Sequence, residues 1–316
     1  MIRPATILRV GAVTPLGRDL SAIADQLEKP PPAAAPLLRV SDDHLSVPAL
    51  EKQLRRADRF VRMAAVAALD GCPTAPAERT GLIVTSGFGP HNRGFKFIDG
   101  ILDCGDSAAL PTDFSHSVHG VAASYIAGLL DLRGPALTST DFEAGFEQAV
   151  LLAQCWLDQG VCGRVLVGAV DELGEVLIHC ARRMLRRGEL AILSEGAIFF
   201  LLGPHDTEGI GHIDASRMLP TVDVVALDSP PVVDRAQTHP PPAARNSVTF
   251  TPYIGHYATG GAFHAMAALF SQRRNRLMGQ LLDFSPNLAP PGFDNVATFR
   301  TSSGRAATLL ISKQKR

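Results

Sequence analysis

The chain lacks a surplus of charge, a long apolar run and paired cysteines, and each lack removes a class of function. Lys and Arg number 30 against 31 Asp and Glu, a formal net charge of −1. So even a balance leaves no global field to draw in nucleic acid or an anionic membrane surface, and a nucleic-acid role is set aside. Nowhere do the roughly eighteen consecutive apolar residues of a membrane-crossing helix occur together. The start, MIRPATILRVGAV, has one early arginine but no apolar stretch of signal-peptide length. Membrane insertion is not expected. The five cysteines (Cys72, Cys104, Cys155, Cys162, Cys180) are odd in number and form no CxxC pair or zinc spacing. These absences together describe a soluble, reduced, cytoplasmic protein with no bound metal. The one glycine loop of note, Gly87-Phe88-Gly89, reads as turn chemistry rather than a phosphate cradle, and no cofactor is expected.

What is present is an ordinary globular composition, 46% hydrophobic and 19% charged over 316 residues, enough for one large domain or two fused halves. Ala5 to Val13 reads as an apolar strand closed by Thr14-Pro15-Leu16-Gly17, with a helix from about Asp19 to Leu27. From Leu54 to Leu69, Phe60, Met63, Ala64, Ala67 and Ala68 fall at helical spacing with arginines on the other side. Gly81 to Gly87 is a buried strand running into the glycine loop. Pro111 to Leu130 reads as one capped helix whose small residues permit close packing. His116 and His119 are three apart on it, but two histidines without a third ligand seldom hold a metal. Further strands are expected at Leu193 to Leu202, Ile210 to Ala215, Val222 to Leu227, Asn295 to Arg300 and Ala306 to Ser312. A proline-rich loop is expected from Asp228 to Arg245, and a helix from Ala262 to Arg273.

The stretch from Gly134 to Glu172 organises the rest. It reads as strand, sharp turn, long helix and second strand, with Phe142, Phe146, Ala149, Val150, Ala153 and Leu157 on one helix face. Thr140 or Asp141 is the expected N-cap, and Gly160 the stop. A strand that turns abruptly into a helix presents its turn to the positive end of the helix dipole, where enzymes often hold a nucleophile. Here the turn carries Asp141, Phe142 and Glu143, and none of them is a serine or cysteine.

Leu132-Arg133-Gly134-Pro135 before that turn resembles the β-ketoacyl synthases, the condensing enzymes of fatty acid and polyketide synthesis. So do the first strand and turn, the arginine-aspartate start of the second helix, the Glu195-Gly196-Ala197 strand and the Gly255-His256 to Gly260-Gly261 motif. The resemblance implies a layered αβαβα α/β fold of the thiolase type, two fused similar halves at 1–185 and 186–316, the second shortened. It also implies three catalytic groups: a cysteine on the turn and two histidines. The cysteine's slot holds Phe142 or Glu143, and both registers remain open. Asp228 stands where the first histidine belongs. His256 matches the second.

A decarboxylating condensation needs the thiolate and both histidines, so only one of three groups is retained. Cys155 does not substitute: it lies roughly 20 Å along the helix at 1.5 Å per residue. Ser194, Ser229 and Ser302 lie in no GxSxG elbow. The expected function is a non-condensing partner of an active ketosynthase, in the manner of a chain-length factor, that meets acyl carrier protein through the complex. Phe142 and Phe146 would fill or line the old pocket, and the helix bearing His116 and His119 would lie at the interface. The SHSVH helix start and the short second half are similar to ketosynthase-like proteins of aryl-polyene-type clusters. The alternatives are a stand-alone acyl-carrier-protein-dependent decarboxylase or acyltransferase using Glu143, Asp228 and His256, and a non-catalytic homodimer.

Overall fold

Small and β-branched residues make β1 (Ala5–Val13), the strand around which the sheet is built. It pairs antiparallel with β7 (Gly196–Gly203) on one side and with β8 (Gly211–Asp214) on the other. In this computed structural model the described residues are 2–33, 35–72, 79–142, 144–184, 192–216, 221–228, 243–255, 259–276, 278–284, 294–302 and 305–314. After β1 come α1 (Leu20–Leu27), β2 (Leu37–Leu38), α2 (Glu51–Leu54), α3 (Arg59–Gly71), β3 (Thr80–Ser86), α4 (His91–Cys104), α5 (Pro111–Ser117) and α6 (Val121–Leu130). Then follow β4 (Ala136–Thr140), α7 (Gly145–Asp158), β5 (Arg164–Asp171), α8 (Glu175–Met184) and β6 (Leu193–Ser194). Beyond β7 and β8 lie β9 (Thr221–Asp228), β10 (Ala243–Thr249), α9 (Thr251–Ile254), α10 (Gly261–Arg274), β11 (Gln280–Phe284), β12 (Asn295–Ser302) and β13 (Arg305–Ser312). Among the described residues no helix is long and apolar enough to cross a membrane.

The main sheet runs β11-β10-β9-β12-β13-β8-β1-β7-β5-β3-β4. Its order repeats. Taken along the chain, β1, β3, β4, β5 and β7 stand in space as first, fifth, fourth, second, third, and so do β8, β9, β10, β12 and β13. Directions repeat as well: the fifth strand is antiparallel to its two neighbours and the remaining pairs are parallel. The sequence reading opens its second half at 186, whereas β7 sits among the first five strands. Residues 215–220 alone join β8 to β9, while 14–79, with α3 inside them, join β1 to β3.

Helices lie on both faces of the first five strands. α3 packs on β1, β5 and β7, while α7 packs on β3 and β5 and meets α10, which lies on β12 and β13. Asp58 caps α3 by accepting from the Val61 amide, and the helix is then buried from Phe60 through Ala68. Its alanines let β1 come close: a Cβ on Gly11 would sit 2.1 Å from the Ala67 carbonyl oxygen. Gly11→Ala is therefore expected to lower the unfolding free energy by about 1–3 kcal/mol through overpacking, read as a shifted urea midpoint at constant slope.

Three expectations need correction. The helix expected over Pro111 to Leu130 is broken: Val118 is extended (φ −78°, ψ 143°), and the chain re-enters helix at Val121. The break lets the His119 ring lie over Gly89, whose φ of +63° only glycine adopts readily. α7 starts at Gly145, later than the expected cap, although Asp141 does bond forward, Oδ1 accepting from the Ala144 amide and Oδ2 from Gln148. Ala243–Thr249, assigned partly to loop, is strand β10.

Candidate functional site

The C-terminal ends of β3, β4 and β5 come together with the segment before α10, and one side chain ties them. Asp171, at the end of β5 and buried, accepts at Oδ1 from the Ser86 hydroxyl (3.0 Å) and the Gly87 amide (2.8 Å). Its Oδ2 accepts from the Thr259 amide (2.8 Å) and hydroxyl (2.5 Å). Four donors on one carboxylate compensate its burial and fix the glycine loop against the start of α10. Sequence reasoning passed over Asp171; the available signal was an acid pair closing an otherwise apolar strand.

Phe142 does not continue the α7 core stripe. Its residue lies in the turn, 61% exposed, with its ring 4.8 Å from that of Phe88. Phe146 is wholly buried and packs on Phe200 at 5.5 Å, so it is a core residue. Glu143 and His256 lie outside the described residues. Asp228 ends β9, opposite Arg300 of β12 in register. His119 covers Gly89, and His116 stands 3.4 Å from the Tyr125 hydroxyl through Nε2. Cys72 and Cys162 are buried, and burial pushes both thiols up. Among the described residues no cluster of three or more His, Cys, Asp or Glu could hold a metal ion.

The next residue, Glu172, is a second buried acid. Its Oε1 accepts from the Asn92 amide at 3.1 Å and lies 3.8 Å from His91 Nδ1. Burial raises its pKa to about 7, against the hydrogen bonds from Asn92 that favour the anion, with Asp58 and Glu195 adding to the rise. Burial likewise lowers the pKa of His91. Glu195, fully buried, accepts at Oε1 from the Val40 amide and Arg59 Nε (each 3.0 Å) and Arg59 Nη2 (2.6 Å), and at Oε2 from the Leu173 amide (3.1 Å).

Around the turn the surface is apolar. Phe95, Ile98 and Leu102 stand exposed at helical spacing on α4, which buries none of its residues. Phe88, Phe142, Leu110, Phe114, Val118 and Leu137 are exposed as well. Leu137 belongs to β4, the edge strand, which among the described residues pairs only with β3. An open strand edge flanked by exposed apolar side chains is a ready template for pairing with another chain. Chemically, the described part of the turn offers an interaction surface and no nucleophile.

No protein-family model matches the chain, and no curated protein matches it in sequence. Solved structures do match it in fold. A β-ketoacyl synthase from Burkholderia phymatum STM815 superposes with a TM-score of 0.74 at 14% identity, over 99% of this chain and 100% of that one. The ketosynthase of a type II polyketide synthase, in a complex with its acyl-carrier protein and bound to a hexaketide, also gives 0.74 at 14%, over 100% of both chains. The ishigamide ketosynthase/chain length factor gives 0.73 at 15%, again over 100% of both. The fold is that of the β-ketoacyl synthases.

Proposed function

We infer that this chain is a non-condensing, ketosynthase-like subunit that pairs with an active β-ketoacyl synthase and shapes the acyl chain made by the pair. The observation that carries the reading is the open edge of β4, with Leu137 exposed on it and the exposed Phe88–Phe142 pair just past its end. The repeated strand order supports two duplicated halves. The turn's lack of a cysteine or serine supports the non-condensing role. Two of the structural neighbours are a ketosynthase with its acyl-carrier protein and a ketosynthase/chain length factor, which favours a type II polyketide-like setting, with acyl carrier protein as the partner of the complex. The pair would be the acyltransferase; this subunit supplies surface and pocket.

The test is co-expression with the ketosynthase of the same biosynthetic cluster, followed by light scattering of the purified complex. A one-to-one complex is expected, weakened at least about tenfold by Leu137→Glu combined with Ile98→Glu, two exposed apolar positions where a partner would bury an unpaired charge. The circular dichroism and melting midpoint of the isolated subunit should not move. A homodimer that ignores the ketosynthase, or a heterodimer indifferent to both charges, sinks the reading.

A further inference from the structure

Away from β4, a cavity of about 670 Å³ opens between the first turns of α3 and α4 and the body of α5. Its volume lies in the range of small-molecule sites, roughly 300–1,000 Å³. Five cations line it: Arg55, Arg56, Arg59, Arg93 and Lys96. Arg59 is taken up by Glu195 and Asp42, and Arg93 pairs through one terminal nitrogen with Asp113 at 3.1 Å. Arg55, Arg56 and Lys96 are exposed and make no ion pair among the described residues.

The wall also carries polar atoms without hydrogen-bond partners among the described residues. Arg93 Nε, His116 Nδ1 and Asp58 Oδ2 are each buried and unbonded. All three residues line this cavity. A buried polar atom left unbonded costs about 1–3 kcal/mol, so three in one wall describe a surface shaped for something polar. The something must accept from Arg93, meet the His116 Nδ1, carry enough negative charge to hold Arg55, Arg56 and Lys96, and supply or share a proton with Asp58. A carboxylate has too few oxygens for all of these. A phosphate has three or four, disposed tetrahedrally, and takes one proton near neutral pH.

We propose that this cavity is a binding site for a phosphomonoester, held by Arg55, Arg56, Arg93 and Lys96 beside His116 and Asp58. Glu172 closes the floor and is only 3% exposed. A ligand that reaches it is narrow, as a small metabolite or a single phosphorylated side chain would be. The proposal goes beyond the pairing reading, because no lining residue belongs to β4 or to the apolar face of α4.

The experiment is calorimetric titration of the full chain with inorganic phosphate, phenyl phosphate and a phosphoserine hexapeptide at low salt. Saturable one-to-one binding is expected, weakened at least about tenfold by Arg56→Gln with Lys96→Gln, since both charges contribute directly to holding the dianion. Arg133→Gln, on an exposed arginine paired to Asp131 elsewhere, should bind as wild type. Phenyl phosphate outbinding the peptide supports the site and gives a metabolite as its source; the reverse order supports the site and gives a modified protein. No saturable binding of any of the three in the millimolar range overturns the proposal. Equal loss in Arg133→Gln overturns it too, as adventitious charge attraction.

Discussion

Arg59→Met is expected to cost about 3 kcal/mol of unfolding free energy, because it leaves Glu195 charged, fully buried and without its hydrogen-bonded cation, only Arg39 Nη1 remaining at 3.9 Å from Oε2. Burial alone acts to lower the Arg59 pKa, and its hydrogen bonds to Glu195 and Asp42 outweigh that, so the guanidinium is held firmly protonated. Two backbone amides, those of Val40 and Leu173, would still donate to the carboxylate, but neither carries charge. The residue matters beyond its own contacts. Glu195 joins the start of β7 to the segment after β5 and to the loop before α2, and Arg59 is the first residue of α3. Urea denaturation reads the loss directly. Adding Glu195→Gln should restore part of it, since a neutral amide still accepts from one of the two amides and no longer needs a counter-charge. A cost for Arg59→Met under about 1 kcal/mol, the size of an exposed pair, would show that solvent screens the bridge after all.

The elements best read from sequence are those whose own residues decide them. β1 runs from Ala5 to Val13 as its apolar run does, and α1 follows at Leu20–Leu27, whereas the helix expected from Leu54 starts only at Arg59, after its Asp58 cap. What sequence could not supply depends on partners far along the chain. β10 reads AARNSVT, polar enough to pass for loop, and is a strand because β9 and β11 bracket it. The duplicated strand order leaves no trace in residue identity, since each half needs only apolar strands of the right length. At the site, the missing nucleophile was legible in the turn itself. The exposure of Phe142 was not: α7 starts only at Gly145, so that helix periodicity does not extend back to residue 142. Arg55, Arg56 and Arg59 of the cavity are visible as the basic run that leads into α3. Their convergence with Arg93, Lys96 and His116 is tertiary, set by how α4 and α5 fold back over the start of α3.

Glu172→Gln is expected to flatten the fall in stability that the wild type shows toward alkaline pH. The carboxyl's pKa rises from an ordinary 4.5 to about 7 on folding, burial being the chief cause. Between those values the folded chain binds more proton than the unfolded chain, so stability is fully present below about 4.5 and is lost as pH rises through about 7. A shift of this size corresponds to roughly 3 kcal/mol at its limit, at 1.36 kcal/mol per pH unit. His91, 3.8 Å away, does not rescue the anion, because burial lowers its own pKa and leaves the ring neutral where Glu172 ionises. A depressed histidine contributes in the opposite sense, its stability rising with pH below its ordinary 6.5, and Asp58, raised by burial, contributes in the same sense as Glu172. The difference between wild type and variant removes the His91 contribution and leaves, besides Glu172 itself, only the smaller change in Asp58 that its coupling to Glu172 brings. Urea midpoints for each chain from about pH 5 to about pH 8 give that difference. The variant should match or fall below wild type at the acid end, where a protonated carboxyl and an amide both accept from Asn92, and exceed it at the alkaline end, where only the wild type buries a charge. Parallel profiles would mean that Glu172 ionises in the folded protein as easily as in the unfolded one, with solvent or a cation reaching the floor of the cavity.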